Sequence, residues 1–153
     1  MELNKIHFSH YLPVSFEEEI QELFFFHPDQ KNYRKRILKS IEKYGVPELI
    51  KRSEGVSIYL KGNKDIQQTL FVQSNSNIGS LIAIVILIKK ENQINIAHFV
   101  LKKTKNQIEN EQTYNEVFYG LTRMLSHIKG IDTIGLAYSE TKISIKKLTY
   151  YLA

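Results

Sequence analysis

The chain has 153 residues, of which 42% are hydrophobic and 24% charged, with a net charge of +5 and no cysteine. That length suits one domain, residues 1–153, able to bury roughly two thirds of its unfolded surface without disulfide or metal support. The composition excludes a disordered chain and a polytopic membrane protein, and the lack of cysteine excludes a disulfide framework, a thiolate metal site and a cysteine nucleophile.

The N-terminal stretch MELNKIHFSHYLP has neither the apolar core nor the small-residue cleavage site of a signal peptide, so a cytoplasmic location is expected. Phe16, Ile20, Leu23 and Phe24 recur at helical spacing in SFEEEIQELFFF. Ser15 is the expected N-cap, and the acidic residues after it suit the positive end of a helix dipole. Pro28 is expected to halt this helix and to sit near the start of a second. The second has apolar positions Tyr33, Ile37, Ile41 and Tyr44 and a stop at Gly45. Pro47 then starts a short turn that ends by Gly55.

VSIYL and QTLFV alternate as strands joined by a KGNK turn, and NSNIGS leads into a second hairpin. Its first strand carries eight consecutive apolar residues, Leu81 to Ile88, far short of the 20 or so that span a bilayer. Five of these, Ile82, Ile84, Val85, Ile86 and Ile88, are β-branched, and the run lacks alternation, which predicts a strand buried on both faces. KKENQ supplies the turn and INIAHFVL the partner strand. Period-two alternation puts Ile94, Ile96, His98 and Val100 on one face and Ala97, Phe99 and Leu101 on the other.

The polar stretch KKTKNQIENEQ crosses to a helix whose start is marked by a T-x-x-E pair, Thr113 and Glu116. Tyr114, Val117, Phe118, Leu121, Leu125 and Ile128 lie on one face of it, and Gly130 closes it. IDTIGLAY reads as a further strand returning beside the hairpin, and ISIKKLTYYL as a last helix. The result is a mixed α+β fold of α/β type, with a mostly antiparallel central sheet, an N-terminal helix pair and two C-terminal helices.

This order, together with the strand-then-helix rhythm of the tail GIDTIGLAYSETKISIKKLTYYLA, resembles the GNAT superfamily of N-acetyltransferases over nearly the whole chain, at the level of pattern. The resemblance implies acetyl-CoA or another acyl-CoA as cofactor, its pantetheine arm pairing with the backbone near Val100 and Leu101. It implies an amine substrate approaching from the opposite side, an oxyanion held by a backbone amide, and His98 or Tyr150 handling protons. Lys102, Lys103 and Lys105 would hold phosphates by charge. The family joins its cofactor strand to the next helix through a glycine-rich loop, whereas LKKTKNQIENEQTYNEV contains no glycine and sets Glu109 and Glu111 nearby. With Leu148 placed on the family's leucine, Thr149 stands at the frequent general-acid position and Tyr150 one place beyond. The family adds two further strands after this point, so the resemblance also implies a sheet edge left exposed or completed by a second copy.

His98 has two readings from its own strand: a hydrogen-bonded core histidine, or a general base at the sheet surface. His7 and His10, with His27 and Asp29 further along, have a spacing too undemanding to predict a metal site. Lys31, Arg34, Lys35, Arg36, Lys39 and Lys43 gather on one helix with Tyr33 among them, a pattern that can follow a phosphate backbone or simply solvate an amphipathic helix. Three function classes therefore stay open. They are an acyl-CoA-dependent N-acyltransferase, a catalytically silent relative that binds a protein partner or dimerises, and a small basic nucleic-acid-binding regulator.

Overall fold

The computed structural model describes residues 6–25, 30–74, 80–131, 133–135 and 142–144, with backbone alone for 30–33, 36 and 142–144. The fold is mixed α+β. The strands are β1 (Ile6–Ser9), β2 (Val46–Arg52), β3 (Gly55–Lys61), β4 (Ile66–Ser74), β5 (Ser80–Lys90), β6 (Gln93–Leu101), β7 (Thr133–Gly135) and β8 (Lys142–Ser144). A sheet of strand order β1-β4-β5-β6-β7-β8 is antiparallel except where β6 meets β7, and a separate two-stranded sheet pairs β2 with β3. The helices are α1 (Glu17–Ile20), α2 (Gln30–Tyr44) and α3 (Gln107–Ser126).

Strand β5 is the centre of the molecule, as its apolar run predicts. Ala83, Val85 and Leu87 face a core shared with Val117, Leu121 and Leu125 of α3. Ile84, Ile86 and Ile88 face a second core with Ile20, Leu23, Phe24, Val56, Ile58 and Leu60. Each fully buried isoleucine contributes about 2 kcal/mol by leaving water, so neither face can be presented to solvent without a large loss. Three layers follow: α3, the main sheet, and a layer built from the N-terminal helices and the β2-β3 hairpin. No helix among the described residues is long and apolar enough to cross a membrane.

The first predicted helix is a composite. A 3₁₀ turn at Val14–Phe16 runs into α1 and then into a π-helical turn, Gln21–Phe25. The wider turn lets the consecutive residues Leu23 and Phe24 both enter the core. The first turn carries Glu17, Glu18 and Glu19, where the dipole favours them, but the expected Ser15 cap is inside the 3₁₀ turn. Pro28 lies outside the described residues. Helix α2 ends where expected, with the Gly45 N–H donating to the Ile41 carbonyl at 2.9 Å.

Two expectations about the middle of the chain are corrected. Val46–Arg52 is not a helical turn after Pro47 but a strand paired with β3 from Val46↔Lys61 to Arg52↔Gly55. Proline is tolerated because its partner Leu60 turns its own backbone groups away from β2, so Pro47 sits at a position needing no N–H toward β3. Consequently VSIYL and QTLFV are not partners: β3 pairs with β2, while β4 lies between β1 and β5. Side chains seal the other edge of β3. The Gln67 amide accepts from Leu60 N–H at 2.7 Å and donates to Leu60 C=O at 3.1 Å, and Thr69 Oγ1 donates to Ile58 C=O at 2.6 Å. Leu12 exchanges two backbone bonds with Val56.

At the C-terminal side, β7 runs parallel to β6 with register Gln93↔Thr133 to Asn95↔Gly135, so the predicted strand does return beside the hairpin. The predicted last helix begins wrongly. Lys142–Ser144 is β8, antiparallel to β7 with register Thr133↔Ser144 to Gly135↔Lys142. The remainder of that predicted helix, Tyr150 included, lies outside the described residues.

Candidate functional site

Strand β6 and its exit into α3 carry most of the residues singled out from the sequence. The β5–β6 register places Leu87 opposite Ile96 but Ile86 opposite His98, leaving Ala97 as an extra residue, a β-bulge. One inserted residue reverses the alternation, so the expected face assignment holds only on part of the strand. Ile94, Ile96 and Leu101 belong to the α3 core and Phe99 packs against it. Ala97 belongs to the opposite core, where Val100 packs and His98 meets Phe24. His98 and Val100 are therefore on the face away from Ile94 and Ile96, contrary to strict period two.

His98 is 3% exposed, with the Phe24 ring edge-on to it at 5.3 Å between centroids. Burial lowers its pKa to about 4, so the imidazole is neutral at neutral pH. Of its two readings, the core position is the one this geometry describes. Next to it, the Ser40 hydroxyl of α2 donates to the Ala97 carbonyl at 3.0 Å in a buried contact.

Val100 is half-buried on the His98 side and Leu101 is buried on the α3 side. The Lys102 N–H donates to the Ile82 carbonyl at 2.8 Å, extending the β5–β6 contact by one residue. The side chains of Lys102, Lys103 and Lys105 are exposed along one short loop. Sequence proximity thus brings the three lysines together, while His98 and Leu101 point to opposite cores.

The cap of helix α3 lies seven residues before the expected T-x-x-E cap, which places Thr113 and Glu116 inside the helix. The cap is Asn106, whose Oδ1 accepts from Ile108 N–H at 3.0 Å and Glu109 N–H at 3.2 Å. Thr104 and Asn110 close the same loop: Thr104 N–H donates to Asn110 Oδ1 at 2.8 Å, and Asn110 Nδ2 donates to Thr104 C=O at 2.9 Å. Two of the amides that an anion would use at this helix start are engaged within the chain. An Asn three residues before an acid, Asn106 and Glu109, was a readable signal of this start. Further along, Tyr114 stacks on Phe118 with rings 5.8 Å apart and meets Phe99 at 5.2 Å, and partial burial raises its pKa.

The basic helix is as amphipathic as expected. Arg34, Lys35, Lys39 and Lys43 are exposed, Ile37 and Ile41 are half-buried, and the Lys43 ammonium lies 5.3 Å from the Tyr44 ring centre. The side chains of Lys31, Tyr33 and Arg36 lie outside the described residues. Among the described residues no three His, Asp or Glu side chains gather in a way that could hold a metal ion. His10 instead shares a 3.3 Å hydrogen bond with Gln68. No protein-family model, curated protein or solved structure matches the chain.

Proposed function

We propose that the chain is a GNAT-like acyl-CoA-binding protein, with acyl transfer to an amine as its reaction. The observation that supports this most is the β6–α3–β7 unit: one parallel strand pair, bridged by a helix, within an otherwise antiparallel sheet. Such a unit places the C-terminal end of β6 and the start of α3 at one edge, where ligands of open α/β sheets commonly sit. In this reading acetyl-CoA or another acyl-CoA lies along Val100 and Leu101. Its phosphates are held by the charges of Lys102, Lys103 and Lys105, not by helix amides. His98 is too buried to exchange protons with a substrate in the conformation described, so Tyr150 is the remaining proton handler. A cytoplasmic location goes with this cofactor.

Isothermal titration of the full chain with acetyl-CoA tests the proposal. Saturable binding that weakens with salt, and that falls about tenfold or more in a Lys102→Ala, Lys103→Ala, Lys105→Ala triple variant, is expected. Absence of binding at millimolar acetyl-CoA sinks it.

The Asn106 cap favours a second reading, a catalytically silent relative using the same frame to bind a protein partner or a second copy of itself. Acetyl-CoA binding without acyl transfer to any amine in a broad panel points there. A concentration-dependent dimer in sedimentation, formed through edge strand β1 or β8, does so as well.

A further inference from the structure

We infer that Ser40 is a positioning residue that sets the phase of the second half of β6, and with it the edge an acyl-CoA would use; the ligand part of this inference rests on the function proposed above. Four observations carry it. Ala97 is the extra residue of the bulge, without a cross-strand partner in the β5–β6 register. It is fully buried, so a carbonyl displaced from the ladder needs a donor inside the protein. Ser40 supplies that donor from 57 positions away, and is itself 5% exposed. A mid-helix serine ordinarily bonds back to the carbonyl one turn earlier or points to water, whereas this one reaches across to the sheet.

The consequence reaches beyond one hydrogen bond. Without the bulge, alternation continued from Ile96 would carry His98 and Val100 to the α3 side and Phe99 and Leu101 to the side of Phe24 and the β2-β3 hairpin. That slip would exchange the two cores' contents beyond Ala97, including the Phe99 contact with Tyr114 and the His98 contact with Phe24. The small size of serine also matters, since α2 must come close enough for its Oγ to reach a strand backbone. Ser40 therefore joins the basic helix to the strand on which Val100 and Leu101 lie.

The test compares Ser40→Ala with Ile41→Val, a change on the same helix face that leaves the hydroxyl in place, and with Ser40→Cys, which keeps a weak donor of similar size. Amide exchange by NMR reports on Phe99, Val100 and Leu101, and calorimetry reports acetyl-CoA affinity. Ser40→Ala is expected to lose about tenfold in protection at these amides and about tenfold in affinity, with Ser40→Cys in between and Ile41→Val unchanged in affinity. Protection within twofold of wild type in Ser40→Ala overturns the inference, as does equal loss in Ile41→Val. Should Ser40→Ala fail to fold, Ser40→Cys carries the same comparison. Should wild type bind no acetyl-CoA while Ser40→Ala still loses protection, the proposed function fails and the positioning role stands.

Discussion

The ring of Phe24, on the π-helical turn, lies edge-on to His98 at 5.3 Å and covers the imidazole on the face of β6 away from α3. A neutral imidazole suits that apolar surrounding and a charged one does not. This contact turns a histidine that reads from the sequence as either a base or a core residue into a probe of the second core.

The first prediction is an acid-dependent loss of stability. Burial holds the folded-state pKa of His98 at about 4, below its ordinary 6.5, so the unfolded chain takes up the proton first as pH falls. Its contribution is fully present above about pH 6.5, declines between 6.5 and 4, and levels off below, about 3 kcal/mol in total. Urea unfolding from pH 7.5 to 4 should show that decline, and the difference profile against His98→Leu should isolate it from the carboxylates. A difference profile flat with pH contradicts this account of the site.

Gln67 is expected to be among the most sensitive polar positions. Its amide pairs both backbone groups of Leu60, a fully buried residue, and so completes the edge of β3. Gln67→Leu strands both groups and should cost about 3 kcal/mol in chemical denaturation. A loss below about 0.5 kcal/mol would mean that water or another side chain replaces it.

A pair of glycines separates backbone strain from steric overlap. Gly55 has φ +131° and a Cβ there would overlap the Leu12 carbonyl, whereas Gly62 has φ +91° with open space around it. Gly62→Ala should cost about 1 kcal/mol from strain alone. Gly55→Ala should cost at least about 2 kcal/mol and should also break the Leu12 bridge to Val56. Thermal unfolding of the two variants side by side checks the order.

Asn106→Ala removes the cap of α3 and should lower stability by about 1 kcal/mol. It also releases the Ile108 and Glu109 amides, so under the proposed function acetyl-CoA affinity should stay level or rise. A drop in affinity beyond about twofold would place Asn106 itself against the ligand.

The elements that were legible are those set by local chemistry. The apolar run of β5, the polar turn after it and the amphipathic stripes of α2 and α3 each follow from residues close in sequence. Helix starts were less legible because several polar residues near α3 can serve as caps. Thr113 matched the pattern, yet the helix extends back to Asn106, whose side chain takes two amides at once.

The sequence by itself determined that β5 is buried on both faces, that no long apolar span interrupts the chain, and that the lysines after β6 lie in a polar loop. Periodicity, run length and charge are properties of neighbouring residues, so they can be read along the chain. Only the tertiary structure decided that β3 pairs with Val46–Arg52, that Gln67 and Thr69 link it to β4, and that β6 changes phase at Ala97. Those outcomes depend on which distant donor meets which acceptor once the layers close. For His98, the extra residue at Ala97 decides the face, and nothing in the alternation of INIAHFVL announces it.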